Sequence, residues 1–374
     1  MAVNEGLAHL SDHLVDGAMA VYAVAMLGYA AEFAFNRIGR TADAAAAAAP
    51  RAERTAKAAV REPALVGAAA GQAGAPASDA STAAPAAKDA KGATVGKAAG
   101  GSGSARGGEE AQAVLIGRIA VVLTVLGWGL HVGSLVTRGL AAHRVPWGNM
   151  YEFSSMICLI AISAFLLLLT RYPVRWLGVF LVFPALVYLG FARTVLYVPA
   201  GPLVPALNSY WLKIHVVAAI LSSGIFLVSA VTTVLFLVKD RWERRLAEVA
   251  AGRAPVSAAM RNRGGIVMKL PASASLDTLT YRLIAFGFPI WTFAVIAGAI
   301  WAEAAWGRYW GWDPKETWSF ITWVCYAAYL HARATAGWRG YKAAAVSLVA
   351  FSALFVDYYL VNLVISGLHS YAGV

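Results

Sequence analysis

Cysteine is scarce in this sequence, which has only Cys158 and Cys325 in 374 residues, each inside an apolar run. Neither has a partner at metal-ligand or redox-pair spacing, which argues against a zinc, iron–sulfur or dithiol centre built on cysteine. The sequence also lacks the G-x-x-x-x-G-K-[ST] loop that cradles nucleotide phosphates. The chain therefore carries no visible ATP-driven machinery, and its chemistry must come from other residues.

Charge is also sparse, because only 14% of the residues are charged whereas 59% are hydrophobic, and the mean hydropathy is +0.61. Such a composition is typical of a protein that lies mainly in lipid. Apolar runs near the roughly 20 residues that a spanning helix needs recur along the chain. We predict an all-α, polytopic transmembrane helical bundle of about eight spans, near residues 17–36, 114–136, 153–170, 176–192, 213–238, 281–301, 317–333 and 343–367.

The positive charges lie mainly on one side of this predicted topology. The loops on that side hold 24 of the 31 Lys and Arg residues, whereas the opposite loops hold six. Because basic loops stay in the cytoplasm, both termini and the loop at 302–317 are predicted to lie outside. The net charge of +11 is then chiefly an insertion signal, and no nucleic-acid partner is expected.

Composition divides the chain into three parts. Residues 1–40 form an outside tail and a first spanning helix, and residues 113–374 form the main transmembrane domain. Residues 41–112 between them are rich in Ala and Gly and poor in large apolar residues, so they are predicted to be a disordered cytoplasmic linker.

An unusually aromatic segment, WGRYWGWDPKETW, runs from Trp306 to Trp318 between two apolar runs. A belt of interfacial aromatic residues would explain Trp301 and Trp318 well. It explains Trp306, Trp310 and Trp312 poorly, because a belt does not need three tryptophans within seven residues. The segment is predicted to be a binding surface at a membrane face.

The same segment contains a helix start. Asp313, Pro314 and Glu316 fit the N-cap, the first and the third helical positions of a capping box. The positive end of that helix, beside Arg308 and Lys315, would also stabilise an anionic group such as a carboxylate.

Histidines supply the remaining chemistry. His215 and His369 are predicted at the outer ends of their spans, on the side of the tryptophan segment, although a single histidine there often only makes interfacial hydrogen bonds. His331 lies ~22 Å below the outer surface and His131 ~9 Å below it, so these two are a poor pair for one metal. Paired outward imidazoles, an aromatic platform and basic groups together fit haem held at the outer membrane face.

The motifs also resemble a known family. WGRYWGWDPKETW is similar to the "WWD" signature of haem-handling proteins of cytochrome c maturation, specifically the CcsA/ResC type of system II. An outward histidine before the signature and a Gly-x-His-Ser-Tyr ending match His215 and His369, and a Tyr-Leu-His-Ala-Arg setting matches His331. The resemblance covers roughly residues 114–374 and includes a Pro-x-x-Asn-x-Tyr-Glu segment with Asn149, Tyr151 and Glu152.

The resemblance implies a holocytochrome c synthase, or haem lyase, that acts with a ResB-type partner in a bacterial plasma membrane. A b-type haem, transiently bound, would be carried outward and presented to a Cys-x-x-Cys-His apocytochrome c, with a thiol reductant protein as a further partner. His215 and His369 would be axial ligands of the outer haem. Its cradle would consist of Trp306, Trp310, Trp312 and Asp313.

His331 would by the same resemblance be a ligand of a second, intramembrane haem, with its other ligand from the partner or from His131. Two other function classes remain open at this level. The chain could be a haem or small-molecule transporter without ligation chemistry, or a structural assembly factor whose aromatic loop binds protein. Asp357, deep in the last span, is interpreted only as a residue that pairs with a neighbouring helix.

Overall fold

The structure is a computed structural model that describes residues 3–59, 102–202, 209–255, 265–365 and 367–369. Its helices in chain order are α1 Glu5–Ala59, α2 Ser102–Ala141, α3 Met150–Arg171, α4 Gly178–Val195, α5 Tyr210–Ala250, α6 Ser273–Trp306, α7 Pro314–Thr335, α8 Tyr341–Phe355 and α9 Val361–Val364. Short 3₁₀ helices at Arg175–Leu177 and Gly265–Lys269 precede α4 and α6, and a π-helical segment, Val356–Leu360, joins α8 to α9. The predicted helical bundle is confirmed.

Among the described residues, seven helical segments are long and apolar enough to cross a membrane, so the chain is a multi-pass membrane protein. They are Glu5–Ala34, Ala111–Ala141, Met150–Arg171, Arg175–Val195, Tyr210–Ala250, Ser273–Trp306 and Tyr341–Val364. The remaining predicted span corresponds to α7, a helix of 22 residues that packs against α6 and α8. Its tryptophans, tyrosines and charged ends lower its hydropathy below that of the other spans.

The polypeptide divides into two compact units, residues 1–37 with 112–374 and residues 38–111. In the first unit, the beginning of α1 packs against α2, where Ser11 Oγ donates to the Ser134 carbonyl at 2.8 Å and Tyr29 and Thr124 share a hydrogen bond of 3.0 Å. The ends of the predicted linker, 41–59 and 102–112, belong to the helices α1 and α2. The rest of it, residues 60–101, lies outside the described residues, so its disorder stays a prediction.

Four apolar cores lie among the described residues of the first unit, and the two largest hold most of its helices together. One core lies among α1 to α5 and includes Tyr29, Phe165 and Leu181. The other lies where α5 and α6, the most extensive helix pair, meet α7 and α8. Phe226 on α5 stacks there on Tyr326 of α7 with ring centroids 3.9 Å apart. These contacts fix α5, α6 and α7, the three helices that carry most of the functional side chains.

Three connecting segments, residues 142–149, 196–202 and 307–313, meet at one end of the bundle, which we name the loop face. Arg138 at the end of α2 donates to the Val198 carbonyl, and Arg144 donates to the Gly201 carbonyl at 2.8 Å. Segments 142–149 and 307–313 both border one cavity. The structure thus brings together loops that the predicted topology placed on one side.

Candidate functional site

A deep cavity opens at the loop face and has a volume of about 480 Å³. Along α5 its wall extends from Leu212 to Leu227, a helix length of roughly 22 Å at 1.5 Å per residue. Most of the lining is apolar, and it includes many aromatic side chains, among them Trp147, Trp291, Trp301, Trp306, Tyr309 and Trp310. The size lies within the range of about 300–1,000 Å³ that is usual for small-molecule sites.

His215 enters this cavity from α5 and is held by α6. Its Nδ1 lies 2.8 Å from the Ala294 carbonyl oxygen. A carbonyl only accepts hydrogen bonds, so Nδ1 carries the proton and Nε2 has the lone pair that could bind a metal. The close approach needs Gly298, because a Cβ there would lie 2.7 Å from Nδ1 of His215. The sequence of α6 therefore determines both the position and the tautomer of this imidazole.

His369 lines the same cavity and is held by the start of α7. Its Nδ1 lies 2.9 Å from Oδ2 of Asp313, and the Leu368 amide donates to Oδ1 of the same carboxylate at 2.8 Å. Since Nδ1 donates to a carboxylate, a metal bound to His369 would use Nε2. Two hydrogen bonds thus join the segment after α9 to the N-terminus of α7.

The protonation states of Asp313 and His369 depend on each other. Burial would raise the pKa of Asp313, but hydrogen bonds from His369, Leu368 and Lys315 outweigh it and lower that pKa to about 2. Burial also lowers the pKa of His369, against the opposing effect of the Asp313 carboxylate. The result is an ionised carboxylate next to a neutral imidazole, which is the protonation state that a metal ligand requires.

Trp301 lies between the two histidines. Its ring is nearly parallel to that of His215, at 6.2 Å and 11°, and meets the His369 ring edge-on at 5.8 Å. Trp306 completes the group, 4.8 Å from Trp301 and 5.0 Å from His369 between ring centroids. Sequence reasoning assigned Trp301 to an interfacial belt and missed this position. The small residues just before Trp301, with Gly298 three positions earlier, could have indicated that another side chain packs closely against this part of α6.

The predicted capping box is confirmed at the start of α7. Asp313 accepts from the Lys315 amide at 3.2 Å, and Glu316 Oε2 accepts from the Asp313 amide at 3.1 Å, with Pro314 at the first helical position. Glu316 Oε2 also accepts from the Gly311 amide at 2.8 Å. These bonds tie the aromatic segment to the helix that follows it, so the segment has a defined shape rather than that of an open loop.

The structure separates the three tryptophans that were predicted to form a cradle. Trp306 and Trp310 line the cavity. Trp312 lies outside the lining, with 66% of its surface exposed and a φ of 59°, and touches Trp310 and Phe320 edge-on. A positive φ on so bulky a residue is strained, so the backbone here is held by its surroundings.

The segment with Asn149 and Glu152 adjoins the cavity, whose lining includes Asn149. Asn149 caps α3 by accepting from the Glu152 amide at 2.9 Å. The buried Glu152 carboxylate binds Arg138 at 2.8 Å and Arg144 at 2.7 Å. Removing one arginine of such a buried ion pair strongly destabilises a protein, because the carboxylate is then left charged without water and without its partner. We interpret the cluster as a rigid support for the loop face.

Neither His331 nor His131 is among the residues that line this cavity. His331 is exposed on α7. His131 is fully buried on α2, where Nε2 lies 2.8 Å from Ser155 Oγ and Nδ1 has no hydrogen-bond partner among the described residues. Within the described ranges, no three His, Cys, Asp or Glu side chains cluster in a way that could hold a bare metal ion.

Comparison with known proteins identifies relatives over most of the bundle. Residues 147–369 match the family model described as cytochrome C assembly protein. The cytochrome c biogenesis protein CcsA of Gloeobacter violaceus is 35% identical over 278 residues, which cover 64% of this chain and 82% of that protein. The CcsA proteins of Trieres chinensis and Synechococcus elongatus are 34% and 42% identical over 271 and 198 residues, covering 68% and 46% of this chain and 86% and 61% of theirs.

Proposed function

The chain belongs to the cytochrome c assembly protein family, as a CcsA-type cytochrome c biogenesis protein, and we propose that its cavity binds haem between His215 and His369. The observation that carries this proposal is the pair of imidazoles in one aromatic cavity, each with Nδ1 held by a hydrogen bond. Haem iron already has four nitrogen ligands from the macrocycle, so two imidazoles complete its six-coordinate state, whereas a bare zinc ion takes three or four protein ligands.

The reaction assigned to this site is covalent attachment of haem to apocytochrome c, which makes the protein a haem lyase. The S–H of each cysteine in a Cys-x-x-Cys-His sequence adds across a vinyl group, so that sulfur bonds to one vinyl carbon and hydrogen to the other. His215 and His369 fix the iron, while Trp306 and Trp310 border the macrocycle. Holding the acceptor in one orientation turns a random encounter into a directed one, an effect that can reach several kcal/mol.

The partners follow from the same assignment. They are apocytochrome c, a thiol reductant protein that keeps the cysteines reduced, and a ResB-type membrane protein. His331 is exposed on α7, which suits a residue that ligates a second, intramembrane haem together with a residue of that partner. The haem is b-type and only transiently bound, because it leaves with the product.

The membrane is assigned as the bacterial plasma membrane, with the loop face and both termini outside. The support for this orientation is the distribution of basic residues, 24 in the opposite set of loops against six in the loops on this side. Apocytochromes that carry reduced thiols would then meet the cavity mouth on the outer surface.

The absorption spectrum of the purified protein tests the ligand assignment. The wild type is expected to show a six-coordinate low-spin haem spectrum, which His215→Gly and His369→Gly each lose and exogenous imidazole partly restores. His9→Gly, at an exposed histidine of α1, is the control and should keep the spectrum. Full haem content and unchanged coordination in both cavity variants would contradict the proposal.

A second measurement distinguishes synthesis from transport. The purified protein with its membrane partner, reductant and a Cys-x-x-Cys-His peptide should yield a haem peptide that resists acid–acetone extraction. Haem binding without any covalent product under these conditions would favour a transporter.

A further inference from the structure

The cavity wall contains two further ionisable residues. Lys315, the second residue of α7, and Asp357, in the π-helical segment, both line the cavity. Lys315 Nζ donates to the main-chain oxygen of Asp357 at 2.8 Å and lies 5.4 Å from the centre of the Tyr358 ring. An ammonium has three N–H donors, and this is the one hydrogen bond that it makes within the described residues.

The Asp357 carboxylate is also incompletely satisfied. The residue is 4% exposed, and its Oδ1 is buried without a hydrogen-bond partner in the described part of the chain. Single π-helical turns occur frequently at functional sites, because the extra residue redirects side chains. Here the turn contributes Asp357, Tyr358 and Tyr359 to the cavity lining.

Ionisable groups within a membrane bundle are expensive and tend to mark binding or transport sites. The cost falls when the charge meets a complementary group, and the cavity offers room for such a group on a ligand. Lys315 lines the same cavity as His215 and His369. A ligand held by the histidines would have this ammonium at its edge.

Resting on the proposed function, we propose that Lys315 binds a propionate carboxylate of the haem and that Asp357 positions the lysine through its main-chain oxygen. The geometry of the macrocycle then has a consequence. Its propionates and its vinyl groups lie on opposite edges, so holding a propionate at Lys315 directs the vinyl groups away from α7 and α8. Lys315 is thus a residue that sets which edge is offered to the incoming thiols.

Other basic groups near the cavity are less suited to this role. Arg144 is committed to Glu152 and to the Gly201 carbonyl, and both bonds are short. Lys213 borders the mouth but is exposed, where water screens an ion pair. Lys315, by contrast, lies in the cavity wall and has N–H donors that are not used within the described residues.

The test compares binding of haem with binding of haem dimethyl ester, in which both propionates are neutral, to the full-length protein in detergent. The wild type should bind haem about 10–100-fold more tightly than the ester, the range for a hydrogen bond to a charged group. Lys315→Met should remove this preference and keep the six-coordinate spectrum, whereas Lys315→Arg should retain most of it. Lys342→Met, at the start of α8, is the control and should bind like the wild type.

The outcomes separate this inference from the function on which it rests. A wild type that binds neither compound would refute the haem site itself. A wild type that binds haem with six-coordinate iron but does not prefer it over the ester would overturn the inference alone, whatever the variants do. Loss of the preference in Lys213→Met, with Lys315→Met unchanged, would assign the propionate to the cavity mouth and also overturn it.

Discussion

Asp313 has two roles, since it caps α7 and also accepts a hydrogen bond from His369. A carboxylate on the Nδ1 side of an imidazole makes Nε2 a stronger donor to a metal. Because the pKa of Asp313 is lowered to about 2, its stabilising contribution is complete above the ordinary aspartate pKa of about 4. That contribution is lost as the pH falls from about 4 towards 2.

Replacing Asp313 by asparagine separates the two roles. Asparagine caps helices as well as aspartate does, so Asp313→Asn should keep the cap of α7 and lose only the part of the thermal stability that depends on the carboxylate charge. The negative charge next to His369 is lost, however, and haem affinity should fall by about 10–100-fold, as when the hydrogen-bond partner of a metal-bound histidine is removed. Haem titration and thermal unfolding of the same preparation would measure both effects.

Asp16→Asn serves as the matched control for that change. Asp16 is a half-exposed carboxylate paired with Arg193 on the surface of the bundle, so its loss should alter neither quantity measurably. If Asp313→Asn bound haem as tightly as the wild type, the carboxylate would be only a helix cap.

At the level of elements, the connection from α6 to α7 has one face towards the cavity and another towards the surroundings of the protein. Trp306 lies against His369 and borders the cavity, whereas Trp312 is largely exposed. We therefore predict that Trp306→Ala lowers the haem content of the purified protein several-fold, because it removes a large apolar contact from the site. Trp312→Ala should keep most of the haem, and the pyridine haemochrome assay gives the ratio directly. Equal losses in both variants would show that the whole segment acts as one surface.

The helical elements and the cap of α7 could be read from the sequence because they depend on local patterns. Apolar runs identified the spans, and Asp313, Pro314 and Glu316 identified the capping box. The position of Trp301 could not be read in this way. It depends on how α5 and α6 meet, at a contact between His215 and Ala294 that are 79 residues apart in the chain.

The same limit applies to Lys315 and Asp357. From the sequence, one belonged to a helix start and the other to an apolar span, and only the packing of α7 against the π-helical segment brings them to a common cavity wall. The hydropathy of α7 is a related case. Its tryptophans and tyrosines serve packing and the site, so a helix of the bundle falls short of the composition typical of spans.

At the scale of the whole molecule, the loop face collects the chemistry, whereas most of the basic residues are predicted to belong to the opposite loops. His215, His369 and the aromatic segment share one cavity mouth, and the predicted opposite loops hold 24 of the 31 Lys and Arg residues. If positive loops remain in the cytoplasm, the site must face outward. The proposed reaction requires this arrangement, because an exported apocytochrome has to reach the cavity.

Thiol labelling of single-cysteine variants tests this orientation. The two native cysteines, Cys158 and Cys325, would first be replaced by alanine, since Cys325 is only half-buried. Tyr309→Cys then places a thiol on the loop face, at a residue that is 61% exposed, and Trp338→Cys places one at the far end of α7, at a residue that is 38% exposed.

A membrane-impermeant maleimide added to intact cells should label Tyr309→Cys and should leave Trp338→Cys unmodified until the membrane is permeabilised. The two positions lie at opposite ends of α7, whose 22 residues extend about 33 Å, enough to cross the hydrocarbon layer. The reverse labelling pattern would place the cavity mouth in the cytoplasm. It would leave the haem site intact but remove its access to exported apocytochromes, so the attachment reaction would have to be assigned to another protein.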